Sequence, residues 1–252
     1  MIIDDFNINA VATVNLLDSV KTYCPESPFV FMSTNKVYGN APNEISYEEN
    51  DKRYEFKKEV AEYMNGIGES MRIDSSTHSY FGASKLAADI MVQEFGRYSD
   101  IPTCCLRAGC ITGPWHAGVE DHGFLNYLIG CYIKGKEYTI YGYKGKQVRD
   151  IISSSDVAEF ISNFIESPSP GAVFNIGGGY ENSTSILEII AKLESIGGKK
   201  MSVQYSDKTR KGDHRIYYSD NSKISSSFPD WHIKEKLDSM IEQIYTAYYN
   251  DL

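Results

Sequence analysis

No apolar run in this 252-residue chain is long enough to cross a membrane, and the opening Met1-Ile2-Ile3-Asp4-Asp5 is acidic where a secretory leader needs basic residues. Neither a membrane span nor a signal peptide is expected. Cysteine is sparse and unpatterned: Cys24, Cys104, Cys105, Cys110 and Cys131 form an odd set without metal-ligand spacing, and Cys104-Cys105 lies inside an apolar strand pattern. Reduced core thiols, a cytoplasmic location and no bound metal are the expectations. Positive charge is also in short supply, with 25 Lys and Arg against 34 Asp and Glu for a net charge of −9. The basic residues are scattered, which argues against a nucleic-acid or anionic-membrane surface. There is no internal repeat and no low-complexity linker. Most telling, no glycine-rich turn from strand to helix precedes the first strand-like run, so the backbone N–H groups that cradle a pyrophosphate are missing from the usual place.

What is present is 42% hydrophobic and 23% charged, the composition of a globular protein with material for one sizeable core or two small ones. The run Phe29-Val30-Phe31-Met32 closes on Ser33-Thr34-Asn35-Lys36-Val37-Tyr38-Gly39. It reads as a buried parallel strand ending in a hydroxyl pair, where an α/β sheet places its ligands. Before it, Val11, Val14, Leu17 and Val20 form a helical stripe over residues 7–23. After it, residues 40–76 are polar and irregular, with a short solvated helix over 51–59. A long helix over 79–98 and a strand over 103–107, introduced by Pro102, complete a right-handed crossover.

Beyond Gly113-Pro114 the pattern loosens, with a helix over 123–134 and a polar stretch over 141–149. A strand over 172–176 ends in Gly177-Gly178-Gly179, read as a tight turn, since a lone glycine run is weak support for phosphate binding. A helix over 185–196, a short strand over 201–205, a charged turn over 208–215 and a terminal helix over 234–249 follow.

Gly82-Ala83-Ser84-Lys85 at a helix start, with Thr34 at a strand end, resembles the extended short-chain dehydrogenase/reductase family of nucleotide-sugar epimerases and dehydratases. Asp5 to Asn9, Arg107 to Pro114, Gln147-Val148-Arg149-Asp150, Phe174 to Gly178 and Arg210-Lys211-Gly212-Asp213-His214 extend the resemblance over nearly the whole chain. Within the family, Ser33 to Gly39, His78-Ser79 and Gly142 to Asp150 look most like the CDP-paratose/CDP-tyvelose 2-epimerase branch. The resemblance implies an α/β fold: an incomplete Rossmann-like parallel sheet, its last strands only, over residues 1–114 with strand 172–177 returning to it. A small α+β domain over mainly 115–252 would bind the nucleotide sugar. It also implies an isomerase of carbohydrate biosynthesis that uses NAD to oxidise a sugar carbinol transiently to a keto intermediate.

In that family a Tyr takes the hydroxyl proton, a Lys four residues on lowers the Tyr pKa and holds the nicotinamide ribose, and a Ser/Thr at the strand end bonds the same oxygen. Carried over, the positions are Phe81, Lys85 and Thr34, with Ser33, Thr34 and Lys85 on the cofactor. A phenyl ring cannot move a proton, which leaves Tyr80, His78 or no acid/base at all. Asn35-Lys36 stands where the 4,6-dehydratases carry an Asp-Glu pair, so epimerisation is favoured over dehydration. Asn35, His78, His116, His122, Arg149 and Arg210 are the expected substrate contacts, the two arginines on the diphosphate. A whole member would carry a first strand, its G-x-x-G-x-x-G turn and three further strands ahead of residue 7. A complementing N-terminal chain, a homo-oligomer or a weakened fragment are the alternatives for the strand edge this leaves. The competing functional readings are a non-catalytic nucleotide-sugar-binding or scaffolding protein and an interaction module using that edge.

Overall fold

The computed structural model describes residues 2–120, 122–209 and 212–250; Arg210 lies outside the described residues. The chain opens with α1 (Ile2–Phe6), a π-helical turn (Asn7–Val11) and α2 (Ala12–Tyr23), then β1 (Phe29–Thr34). β2 (Tyr47–Glu49), β3 (Tyr54–Phe56), α3 (Tyr80–Ser99), β4 (Thr103–Ala108) and β5 (Cys110–Thr112) follow. Next come α4 (Phe124–Lys134), β6 (Tyr138–Tyr141), β7 (Val148–Ser153), α5 (Ser154–Glu166) and β8 (Ala172–Ile176). The chain continues through β9 (Ser183–Ser185), α6 (Ile186–Gly197), β10 (Val203–Ser206), β11 (Ile216–Tyr217), α7 (Ser222–Ser227) and α8 (Leu237–Asn250).

The fold is α/β. β1, β4 and β8 form a parallel sheet in that order, in register from Phe29↔Thr103 and from Cys104↔Ala172. All six residues of β4, Thr103 and Arg107 included, are buried because helices cover both faces of the parallel sheet. On one face Phe31, Cys105 and Val173 meet Leu17 of α2 with Ala88 and Val92 of α3. On the other, Cys104, Leu106 and Phe174 meet Phe160 and Phe164 of α5 and Trp231. The period-two alternation Cys104/Cys105/Leu106 is what sends neighbouring side chains to opposite layers.

β1 is an edge strand, and no strand among the described residues pairs with its outer side. The Phe29 N–H donates to Pro102 O, so Phe29, Phe31 and Ser33 point their peptide groups at β4, and Val30, Met32 and Thr34 point theirs outward.

A second layer is built on β7, flanked by parallel β5 and β11 and by antiparallel β9, with β6 and parallel β10 beside it. Its core joins Leu128 and Ile129 of α4, Ile189 and Leu193 of α6, and Ile241 and Ile244 of α8. The Ser185–Glu188 capping box starts α6.

Three local expectations are corrected. Residues 51–59 form no helix; β3 pairs antiparallel with β2 because Tyr54 and Phe56 alternate inward, a period of two rather than 3.6. Leu17 is buried and Val20 half-buried, but Val11 and Val14 are exposed, since α2 packs through Thr13 and Leu17. Cys24 is exposed rather than a core thiol, whereas Cys104, Cys105 and Cys131 are buried and all five thiols are free. The strand β7 and helix α5 had not been read from the sequence. All six residues of β7 are buried, the polar ones included, so no apolar alternation marks it.

Candidate active site

β1, β4 and β7 run in the same sense and end at one cleft of about 980 Å³. At the end of β1, the Thr34 side chain accepts the Lys36 N–H at 3.2 Å and so caps the 3₁₀ turn Asn35–Tyr38. Ser79 caps α3 in the same manner, accepting from Gly82 N–H at 3.0 Å. Turn and helix are pressed together: a Cβ on Gly82 would lie 2.8 Å from Lys36 O, so this place in the helix admits only glycine without a shift. The contact aims the first turn of α3 at the cleft, and Phe81 and Lys85, four residues apart, both line it.

One residue earlier the helix has turned about 100°. Tyr80 is accordingly 64% exposed and does not line the cleft. His78 is also absent from the wall; its Nε2 faces Val37 O at 2.8 Å and its Nδ1 faces Ser76 O at 2.9 Å, so it ties the loop before α3 to the 3₁₀ turn. Of the expected site residues, Ser33, Thr34, Asn35, Lys85, His116, His122 and Arg149 are brought together on the cleft wall. The Ser33 hydroxyl, however, donates to buried Asp89 at 2.5 Å, which binds it to α3 rather than to a ligand. His116 and His122 meet edge to face, ring centres 5.5 Å apart. Burial, and then the neighbouring His122, lowers the His116 pKa.

Lys36, Asp213, Phe124, Cys110 and the 82%-exposed Trp115 also line the cleft and had not been assigned a role there from sequence. The Asp213 carboxylate joins Lys36 Nζ at 3.1 Å and Arg149 Nη2 at 2.6 Å. Burial pushes the Asp213 pKa up, but the two cations more than offset it and hold the carboxyl well below its usual range. Lys36 is lowered by burial and by Arg149, with Asp213 acting the other way. Lys85 is lowered by burial; its Nζ donates to the outward-facing Met32 carbonyl at 2.7 Å and sits 4.5 Å from the Phe31 ring centre. Burial pushes the Cys110 thiol up to about 11, which keeps it protonated and unsuited to nucleophilic attack. Among the described residues, three cations, Lys36, Lys85 and Arg149, thus face one carboxylate in a cleft of an otherwise acidic protein.

Off the cleft, past Phe124, Arg149 and Asp213, opens a recess of about 130 Å³ walled by Tyr127, Tyr138, Tyr141 and Gln147. Beneath the site lies Asp150, fully buried, with Oδ2 accepting from Ser219 N–H at 2.9 Å and Gly179 N–H at 3.3 Å and Oδ1 unpartnered. A Cβ on Gly177 would come within 2.0 Å of Asp150 Oδ2, so the first glycine of the run after β8 lets the backbone pack closely on this carboxyl. Burial pushes the Asp150 pKa up to about 6. A raised folded pKa means that the folded state binds the extra proton, so the stability is present below the unfolded value and is lost as pH rises through about 6. Chemical denaturation at pH 4.5 and at pH 7.5 should therefore show wild type losing about 2 kcal/mol relative to Asp150→Asn over that interval. Parallel pH profiles for the two proteins would refute the assignment.

The family model described as the NAD dependent epimerase/dehydratase family matches residues 2–177. CDP-paratose 2-epimerase of Salmonella typhi is 31% identical over 248 residues, which cover 96% of this chain and 70% of that protein. A dTDP-glucose 4,6-dehydratase of Xanthomonas campestris pv. campestris (strain B100) is 27% identical over 235 residues, 86% of this chain and 58% of that one. Among solved structures, dTDP-glucose 4,6-dehydratase from Bacillus anthracis in complex with NAD superposes with a TM-score of 0.76 at 23% identity, over 98% of this chain and 69% of that one. UDP-glucuronic acid 4-epimerase from Bacillus cereus, in complex with UDP-glucuronic acid and NAD, gives 0.76 at 24% identity, over 97% and 68%.

Proposed function

Because this chain belongs to the NAD dependent epimerase/dehydratase family, we propose that its cleft holds a nucleotide sugar for NAD-dependent epimerisation of the CDP-sugar 2-epimerase kind. The observation that carries this reading is the cation-rich cleft at the end of β1 and β4. Lys36, Lys85 and Arg149 gather there, in a chain of net charge −9, where an anionic ligand needs them.

NAD is the family's cofactor, and the residues present fit one end of it. Thr34 and Lys85 sit where the nicotinamide ribose would be held, whereas the described residues contain no glycine-rich cradle for the pyrophosphate. When bound, NAD supplies the hydride acceptor for transient oxidation of the sugar. The chain's own contributions are different. Thr34 Oγ1 already accepts from Lys36 N–H, so its hydroxyl hydrogen is left to donate to a sugar oxygen. The Lys85 ammonium stabilises negative charge developing beside the cofactor ribose. Asn35 and Lys36, an amide and an amine where a dehydratase would carry two carboxylates, leave no acid/base pair for eliminating water. Residues 115–252 mainly form the nucleotide-sugar side, and the ends of β1 and β4 with the first turn of α3 form the nicotinamide side.

Phe81 favours a second reading, a nucleotide-sugar binder without turnover, because it lines the cleft at the place where a phenol is needed and Tyr80 does not. Both readings share the diphosphate at Arg149. Calorimetric titration with CDP should show Arg149→Ala weakening binding by about 1.5–3 kcal/mol, the range for hydrogen bonds to charged groups. Unchanged affinity would remove Arg149 from the site. Absence of CDP binding to the wild type would sink both readings.

A further inference from the structure

Three tyrosines box in the Arg215 guanidinium, whose carbon lies 4.1 Å from the Tyr47 ring centre, 5.6 Å from Tyr143 and 5.9 Å from Tyr54. All three distances are within the range at which a ring face attracts a cation. The carboxylate two residues back, Asp213, pairs with Lys36 and Arg149 instead.

The walls of the box come from two separate places. Tyr47 and Tyr54 meet edge to face on the β2–β3 hairpin, ring centres 5.4 Å apart. Tyr143 opens the turn Tyr143–Gly145 ahead of β7, where it and Lys144 have φ of +49° and +56°, a region side-chain-bearing residues rarely adopt. Such a conformation persists where its surroundings hold it. Here the hairpin does so: Lys144 Nζ reaches Glu49 Oε1 at 2.9 Å, and Tyr54 N–H donates to Lys146 O at 3.0 Å.

What the box grips is the end of the segment that carries Asp213. Lys36 Nζ donates to Gly212 O at 3.1 Å, Asn43 Nδ2 donates to Asp213 O at 2.8 Å, and Asn43 Oδ1 accepts Arg215 N–H at 2.7 Å. Buried His214 sets its Nε2 2.8 Å from Gly39 O. The backbone of 212–215 is thus fixed to residues 36–43, and the Arg215 side chain fixes it to the hairpin as well. Asp213 Oδ1 then accepts from Arg149 Nη2 at 2.6 Å.

We propose that Arg215 is a positioning residue for the anion site: clamped by Tyr47, Tyr54 and Tyr143, it holds the 212–215 segment so that Asp213 aims Arg149 into the cleft. This rests on the reading that Arg149 meets the diphosphate of a nucleotide sugar. Arg215 itself does not line the cleft, so it acts through Asp213 and Arg149.

The test is calorimetric titration with CDP of wild type, Arg215→Ala, Arg215→Lys and Tyr47→Leu, with Arg215→Ala and Tyr47→Leu repeated in an Arg149→Ala background. Arg215→Ala should weaken CDP binding about tenfold, and Arg215→Lys, which keeps a cation in the box, by less than about threefold. Without Arg149 there is nothing left to aim, so Arg215→Ala should then change affinity by less than about twofold. Tyr47→Leu removes the nearest wall from outside the cleft and should reproduce this pattern, which serves if Arg215→Ala does not fold. Unchanged affinity in both variants, or the same fold-loss with and without Arg149, overturns the proposal and leaves the nucleotide-sugar reading intact. Absence of CDP binding to wild type overturns both.

Discussion

Asp89→Ala is expected to lower the unfolding free energy by about 3–5 kcal/mol, the cost of stripping one partner from a buried ion pair. Asp89 is fully buried on α3 and gathers donors from three directions: Arg107 Nη2 at 2.9 Å and Nε at 3.2 Å from β4, Ser33 Oγ at 2.5 Å from β1, and Gln93 Nε2 at 2.6 Å. It therefore ties the helix carrying Lys85 to both strands whose ends frame the cleft. Its removal leaves the Arg107 guanidinium, 4% exposed, with the Tyr38 hydroxyl at 3.3 Å as its remaining side-chain contact. The double replacement Asp89→Leu with Arg107→Met should recover most of the loss, because an apolar pair has no charge to desolvate. Urea denaturation of the single and double variants checks this. A loss below about 1 kcal/mol for Asp89→Ala would show that the pair is not the tie described.

Phe81→Tyr should raise turnover by about 10²- to 10⁴-fold in the NAD-bound protein, the range for a placed general acid/base. Phe81 already faces the cleft, and Lys85 follows one helical turn later, so a phenol there would stand beside a cation that favours the phenolate. The sugar hydroxyl proton would pass to that phenolate, a transfer the phenyl ring cannot make. A readout independent of turnover is the ultraviolet titration of the new phenol, which should fall below the ordinary tyrosine range and rise again when Lys85→Met is added. A neutral effect of Phe81→Tyr on turnover, with both ligands bound, would favour the binding reading.

Much of the parallel sheet was legible because its strands are built on short apolar runs, Phe29–Met32 and Ala172–Phe174, with turn residues beyond their ends. β7 was not, because it is buried with Arg149, Asp150 and Ser153 inside it, and polar residues that are satisfied by partners distant in sequence give no local pattern. The same cause hid Asp213. Its partners are 177 and 64 residues away, so only the motif around it could have flagged the position. The site was legible where a residue's role follows from its place on one element: Thr34 at a strand end, and Lys85 one turn after Phe81. It was less so where orientation decides. The helix start sets Tyr80 outside, and two carbonyl oxygens engage His78, neither of which spacing alone reveals.

The outward row of peptide groups on β1 has a colloidal consequence. An unpaired parallel edge is a template for another copy of itself, and two things stand against that here. Lys85 already occupies the Met32 carbonyl, putting an ammonium where an incoming strand would lie. The net charge of −9 makes any two copies repel at a distance. The second guard extends only over the ionic screening length, about 8 Å at physiological salt and about 3 Å at 1 M. In concentrated salt the solubility of this chain therefore rests largely on one lysine side chain, the same one that must be free to meet the cofactor.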